Sequence, residues 1–181
     1  MEPNYYIPVI HGEFQVNRAM PEETEEVMAL LTEVAEWLQS RGSTQWEGIL
    51  EGVDSHGTVD AIRRGDVFVF KQEAEIAGMV MLFRQPSSWD LQLWGDKASP
   101  QDQAVYLHRL AVRRAYAGRG LGQDILDWCS TGVQFPGKRM VRLDCVASVE
   151  TLNAFYANSG YTCVGHPEGY TIYEKPIVIA E

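Results

Sequence analysis

Three glycines stand at alternate positions, 118, 120 and 122, in the stretch Leu110-Ala-Val-Arg-Arg-Ala-Tyr-Ala-Gly-Arg-Gly-Leu-Gly122. A strand-like run precedes them and a helix-like run follows at once. Glycine accepts positive φ and lets a ligand approach the backbone closely. A helix start supplies unpaired N–H groups and the positive end of the helix dipole. Together these make an anion site, for which phosphate is the common occupant. Arg113, Arg114 and Arg119 add positive charge in the same place. The spacing is G-x-G-x-G, which departs from the dinucleotide fingerprint G-x-G-x-x-G, and no G-K-[S/T] follows, so both of those phosphate loops are excluded. On the glycines alone, a plain structural turn explains the stretch equally well.

The elements around this loop follow from periodicity. Phe14 to Arg18 reads as a first strand. Pro21 and a run of glutamates suit a first helical turn. Val27, Leu30, Leu31, Val34, Ala35 and Leu38 then fall at helical spacing, and the helix should end near Arg41-Gly42. A second helix is expected over residues 55–64. Val67 to Lys71 and Ile76 to Phe83 predict a hairpin turning at residues 72–75. Residues 85–103 are polar, with Pro86, Gly95 and Pro100, and read as a long connection. Ala104 to Val112 is the next strand, and Leu121, Ile125, Trp128 and Cys129 mark a helix. Val141 to Val146 is a strand, and Leu152, Phe155 and Tyr156 mark a helix with Ser148 as its cap. Residues 161–164 and 170–175 close as two strands. Two strand–helix units in succession require a parallel pair with a crossover. The expectation is one α/β (α+β) domain over residues 1–181, with a mixed sheet of six to seven strands and about four helices.

Composition narrows the functions. The chain has 181 residues with 45% apolar and 22% charged side chains, which suits one globular domain. Its net charge of −10 argues against general nucleic-acid binding, which rests on neutralising phosphates. Between Arg109 and Arg142, however, seven basic residues meet two acidic ones, so a local anion site sits in an acidic body. No apolar run reaches the roughly 18 residues of a membrane span, and the N-terminus lacks the pattern of a signal peptide. Three cysteines without a C-x-x-C pair support neither a disulfide framework nor a zinc site, and a reducing cytoplasm is expected. His11, His56, His108 and His166 show no ligand spacing, so no metal is expected.

Two stretches resemble the GCN5-related N-acetyltransferase (GNAT) superfamily. Leu110-Ala111-Val112 with Gly120 and Gly122 resembles its motif A, in which an apolar strand end leads into Arg/Gln-x-x-Gly-x-Gly/Ala and a helix. The family's Arg/Gln position is Ala117 here. Asn153-Ala-Phe-Tyr156 followed by Gly160-Tyr161 resembles its motif B, in the right order and separation.

The resemblance implies a GNAT-like fold with a splayed central parallel pair and acetyl transfer from acetyl-CoA to a primary amine of a small molecule or peptide. It implies no nucleic-acid or membrane partner, and leaves a homodimer open. Leu110, Ala111 and Val112 would pair with pantetheine. The amides of Ala117, Gly118, Arg119, Gly120, Leu121 and Gly122 would hold the pyrophosphate. Tyr156 matches the tyrosine that protonates the departing thiolate, and Asn153 would contact the coenzyme arm. On residue pattern alone, Tyr156 also fits a core aromatic, since Leu152 lies four residues earlier.

An amine must lose a proton before it attacks a thioester. His108 is the candidate base, since histidine is the side-chain type whose unperturbed charge change falls near neutral pH. Strand alternation groups Tyr106, His108, Leu110 and Val112 on one face and Leu107 and Arg109 on the other. The alternatives are a structural histidine, a carboxylate such as Asp144, or a water chain. The oxyanion would be held by a strand amide near Leu110. Trp46, Trp89 and Trp94, with Glu47, Glu51 and Asp90, are expected to wall a cationic acceptor. A non-catalytic coenzyme-A-binding module on the same fold is the alternative to an enzyme.

Overall fold

Val27, Leu30 and Leu31 are fully buried on one face of the first long helix, with Val34 and Ala35 beside them, as their spacing predicts. Exchanging one of these leucines for alanine costs about 2–5 kcal/mol. The helix stops where expected: Arg41 is its C-cap and Gly42 takes φ 79°.

The computed structural model describes residues 2–178. In chain order the elements are β1 (Tyr5–Tyr6), β2 (Val9–Ile10), β3 (Phe14–Arg18), α1 (Thr24–Ser40), α2 (Glu47–Leu50), α3 (Thr58–Arg63), β4 (Val67–Gln72) and β5 (Glu75–Phe83). Then come α4 (Ser88–Trp94), β6 (Ala104–Val112), α5 (Leu121–Thr131), β7 (Val133–Gln134), β8 (Met140–Val146), α6 (Glu150–Asn158), β9 (Thr162–Gly165) and β10 (Tyr170–Pro176). No helix among the described residues is long and apolar enough to cross a membrane.

The chain forms two compact units. One holds Ile7–Met81 and Arg109–Ile125. The other holds Glu2–Tyr6, Leu82–His108 and the chain from Leu126 onward. The chain passes between them after Tyr6, inside β5, inside β6 and inside α5.

In the first unit β2, β3, β4 and β5 are antiparallel neighbours, with Phe14 opposite Ile10, Val16 opposite Phe70 and Val69 opposite Met79. Val67 to Phe70 and Met79 to Met81 are fully buried, as a strand covered on both faces requires. A side chain at Gly78 would collide with Ile125 Cδ1 at 2.7 Å and the Ala111 carbonyl oxygen at 3.1 Å, so glycine there permits close packing.

In the second unit the order is β6-β8-β10-β9. β6 and β8 are parallel, with Ala104, Val105 and Tyr106 opposite Met140, Val141 and Arg142. β10 is antiparallel to both β8 and β9, so the sheet is mixed, as expected. Among the described residues, the β6–β8 register runs no further than Tyr106 and Arg142, and β6 continues past it through Leu107 and His108.

The structure corrects several boundaries. Residues 85–103 contain the helix α4. Ser87 caps it: its Oγ accepts from the Asp90 amide at 3.2 Å, while Asp90 Oδ2 accepts from the Ser87 amide at 2.9 Å. Pro86 and Gly95 therefore punctuate a helix rather than fill a loop. The helix expected over residues 55–64 is the shorter α3, which starts at Thr58, whose amide donates to Asp54 Oδ2 at 2.7 Å. Helix α6 has Val149 at its N-cap with no side-chain cap bond, so Ser148 does not cap it. Asn153 closes that turn instead, donating from Nδ2 to the carbonyls of Val149, Val146 and Ala147 at 2.9, 3.2 and 3.3 Å.

Candidate active site

Arg109 takes φ 52° in the middle of β6. A left-handed residue bends a strand, so the simple alternation predicted across His108 to Leu110 does not run through. Beyond the bend, Leu110 and Val112 come to the start of α5: a Cβ placed on Gly122 would sit 3.7 Å from Val112 Cγ2 and 3.9 Å from Leu110 Cδ2. Ala111 between them is buried.

The loop between β6 and α5 is built as its composition demands. Gly118 and Gly120 take φ 78° and 79°, and Gly118, Arg119 and Gly120 are exposed. The Ala117 amide donates to the Arg114 carbonyl at 3.1 Å, so the turn itself uses that N–H. Asp124 N–H reaches the Gly120 carbonyl at 3.0 Å. The amides of Leu121 and Gly122 precede that first helical bond and have no acceptor within the helix.

The arginines here divide their work. Arg113 Nε donates to the Ile76 carbonyl at 2.9 Å, and its Nη1 lies 3.7 Å from Glu33 Oε1. Arg114 stacks on Trp37 at 3.7 Å. Arg119 stands 5.1 Å over the Tyr116 ring, at an exposed position between the two left-handed glycines.

In the second unit His108 is 6% exposed and has a buried carboxylate partner. Its Nε2 lies 3.0 Å from Asp90 Oδ1 and 3.1 Å from Oδ2. Burial opposes the charge on Asp90, but the bond to His108 and the imidazole's charge outweigh it and hold the carboxyl below its ordinary range. An ionised Asp90 accepts, so Nε2 carries a proton. The Phe83 ring packs 4.8 Å from the imidazole. Asp144, on β8, accepts from Trp89 Nε1 at 3.4 Å. Burial pushes the Asp144 carboxyl up, although His108 and Trp89 pull it down.

One ligand atom from each of Asp90, His108 and Asp144 fits within a span of 4.8 Å, close enough to hold a cation. This spacing exists only in the folded chain and is invisible in the order of the histidines. The bonds from His108 to Asp90 and from Trp89 to Asp144 instead engage the same groups in proton-sharing contacts.

Tyr156 lies on α6 in the same unit. Its ring packs with Phe155, Tyr173 and Tyr161 at 5.2, 6.0 and 6.2 Å. Burial, reinforced by Cys145 and Asp144, raises the phenol above its usual range, so it stays protonated at neutral pH. Asn153, one turn earlier, accepts from the Tyr173 hydroxyl at 2.7 Å through Oδ1. With Nδ2 committed to the strand–helix turn, the Asn153 amide acts first as the lock that sets α6.

The expected aromatic wall for a cation is already occupied by the chain's own arginines. Arg109 lies 5.3 Å over Trp46, and Arg142 lies 4.6 Å over Trp94. Trp89 meets Tyr170 edge-on at 4.9 Å. Asp90, expected in that wall, is 1% exposed and pairs with His108. The sequence signal for Asp90 was Ser87-x-x-Asp90, a capping box inside a stretch that reads as a loop.

A family model for the acetyltransferase (GNAT) domain matches residues 63–163, more than half of the chain. The chain belongs to the GNAT family of acetyltransferases. That membership makes it an acyl-CoA-dependent N-acetyltransferase. A relative from Bacillus subtilis (strain 168), the uncharacterized N-acetyltransferase YesJ, is 48% identical over 160 residues, 88% of each chain. A GNAT-family acetyltransferase structure from Listeria monocytogenes 4b F2365 superposes with a TM-score of 0.77 at 35% identity, covering 94% of this chain and 99% of that one. The PaiA N-acetyltransferase of Thermoplasma acidophilum, solved with coenzyme A, shares the fold at TM-score 0.64 and 16% identity, over 90% of this GNAT chain and 98% of its own.

Proposed function

We propose that this GNAT protein transfers the acetyl group of acetyl-CoA directly to a primary amine of a small molecule or peptide within a ternary complex. The observation that carries this reading is the buried contact between His108 Nε2, on β6, and the Asp90 carboxylate at 3.0 Å, which suits a general base. The left-handed Gly118 and Gly120 and the start of α5 directly after them support pyrophosphate binding by Gly118 to Gly122. Ala117 contributes shape there more than an N–H, and Leu110 to Val112 supply strand backbone for the pantetheine amides.

His108 Nδ1 takes a proton from the incoming ammonium, directly or through water, while Asp90 stabilises the imidazolium that forms. The free amine then attacks the thioester carbonyl. A strand amide near Leu110 holds the developing oxyanion. The amine nitrogen, cationic after attack, sheds its second proton through water; Tyr156 donates its phenolic proton to the departing thiolate, the shed proton restores the phenol, and His108 releases its own proton to solvent. Products are the acetamide and coenzyme A. Asn153 sets α6 and so positions Tyr156. We read the two units together as one acetyltransferase domain, and the free thiols of Cys129, Cys145 and Cys163 suit a reducing cytoplasm.

The test is a panel of amines, polyamines, amino acids and short peptides with acetyl-CoA, following free thiol and N-acetylated product together. The reading predicts that both rise with one class of amine. Thiol release indifferent to every amine would contradict it.

A further inference from the structure

Arg109 carries a buried positive charge that its surroundings leave incompletely satisfied. Its side chain is 5% exposed. Nη2 lies 3.4 Å from Ser55 Oγ and 3.9 Å from Asp54 Oδ1, both long contacts. Nε and Nη1 are buried and have no hydrogen-bond partner among the described residues. Asp54 is a poor neutralising partner, because it also accepts from the amides of Thr58 and His56 at 2.7 and 3.3 Å. The face of the guanidinium rests on Trp46.

Buried arginine nitrogens without acceptors are costly, and a guanidinium cannot shed its proton to escape that cost. The backbone adds a second cost. Arg109 and Trp46 both hold left-handed conformations, at φ 52° and 60°. Such residues persist where the surroundings enforce them, and they gather at ligand sites. An oxyanion is the partner that satisfies the arrangement. It would accept from Nη1, and the Nη1–Nη2 end of the guanidinium is the fork a carboxylate takes with two parallel bonds. Trp46 would hold the plane in place.

We infer that Arg109 binds an oxyanion carried by the acceptor, so that the acceptor is a primary amine that also bears a carboxylate. This rests on the reading of the protein as an amine acetyltransferase. Arg109 is then a specificity residue. The acidic body of the protein does not oppose this. A net charge of −10 favours cations in general, whereas a buried guanidinium with open donors selects for an anionic group locally.

The experiment uses the full chain with acetyl-CoA and matched pairs: L-phenylalanine with phenethylamine, L-lysine with cadaverine, and phosphoethanolamine with ethanolamine. Acetyl transfer is measured as kcat and KM, and binding of the same compounds by calorimetry. The inference predicts a preference for the carboxylate member of a pair, expressed in KM. Arg109→Gln should raise that KM roughly 10–100-fold, with the KM for acetyl-CoA unchanged. Arg109→Lys should fall between, since it keeps the charge and loses the fork. Asp54→Asn, which keeps an acceptor for the Thr58 amide, should lower KM for the carboxylate acceptor by removing the competing anion. This predicted gain of function does not depend on Arg109→Gln folding. Preference for phosphoethanolamine over both amino acids would overturn the carboxylate assignment. Equal use of charged and neutral members, unchanged by either variant, would overturn the inference and leave the acetyltransferase reading standing. Arg109-dependent calorimetric binding without any transfer would uphold the anion site and contradict the acetyltransferase reading. Neither binding nor transfer of any carboxylate amine would overturn the inference.

Discussion

His108 Nε2 faces both carboxylate oxygens of Asp90, at 3.0 and 3.1 Å, although 18 residues separate the two in sequence. The pairing sets Nε2 as the proton-bearing nitrogen, and the proposed mechanism uses Nδ1 as the base. His108→Gln should therefore abolish the acidic limb of the pH–rate profile, with a loss of roughly 10²–10⁴ in turnover. Asp90→Asn should lower kcat with little change in the KM for acetyl-CoA, because it disturbs the base without touching the coenzyme loop. An acidic limb that survives in His108→Gln would move the base to Asp144 or to a water chain. Asp90 also links the pair to stability. Its folded pKa is depressed, so its contribution is present above the ordinary carboxylate range and lost as the pH falls through the depressed value.

Asp144 has the opposite sign. Burial raises its pKa, so the folded state holds its proton longer than the unfolded state does. Stability is then lost as the pH rises through the carboxylate range, and the cost is complete above the raised pKa. Asp144→Asn keeps an acceptor for Trp89 and should raise Tm at pH 8. The gain should shrink towards pH 4 and vanish below it. A gain equal at both ends would show that charge burial is not the cause.

Tyr156→Phe keeps the ring contacts with Phe155, Tyr161 and Tyr173 and removes only the hydroxyl that donates the proton. Turnover should fall roughly 10²–10⁴-fold while acetyl-CoA binding is retained. Full turnover with the chemical step rate-limiting would remove Tyr156 from the mechanism.

Gly120→Asp places a β-carbon at φ 79° and a negative charge beside the start of α5. The nearest atom to that β-carbon is Asp124 Oδ2 at 4.0 Å, so the fold has room for the side chain, and the backbone and charge effects dominate. The KM for acetyl-CoA should rise at least tenfold with the far-ultraviolet dichroism unchanged. An unaltered KM would place the coenzyme elsewhere.

What the sequence exposed, and what it hid, follows from range. Gly118, Gly120 and Gly122 act through local backbone geometry, which short spacing records. Helix α1 shows its buried face through a repeat that needs only its own residues. Asp90 was hidden because its partner lies on another element and its helix sits between Pro86 and Gly95, which read as loop punctuation. Asn153 looked like a ligand contact, yet its acceptors are carbonyls of the preceding turn and its donor is Tyr173, 20 residues on. Arg109 looked like the other face of a regular strand. Its left-handed φ is not written in any spacing, since arginine has no preference for it.

Direct transfer can be read from the intact mass of the protein incubated with acetyl-CoA, first without and then with an acceptor amine. The account predicts no acetylated protein in the first case. In the second it predicts one equivalent of N-acetylated amine per free thiol, with intersecting initial-velocity lines. An acetyl group accumulating on the protein before amine is added, with parallel lines, would contradict it.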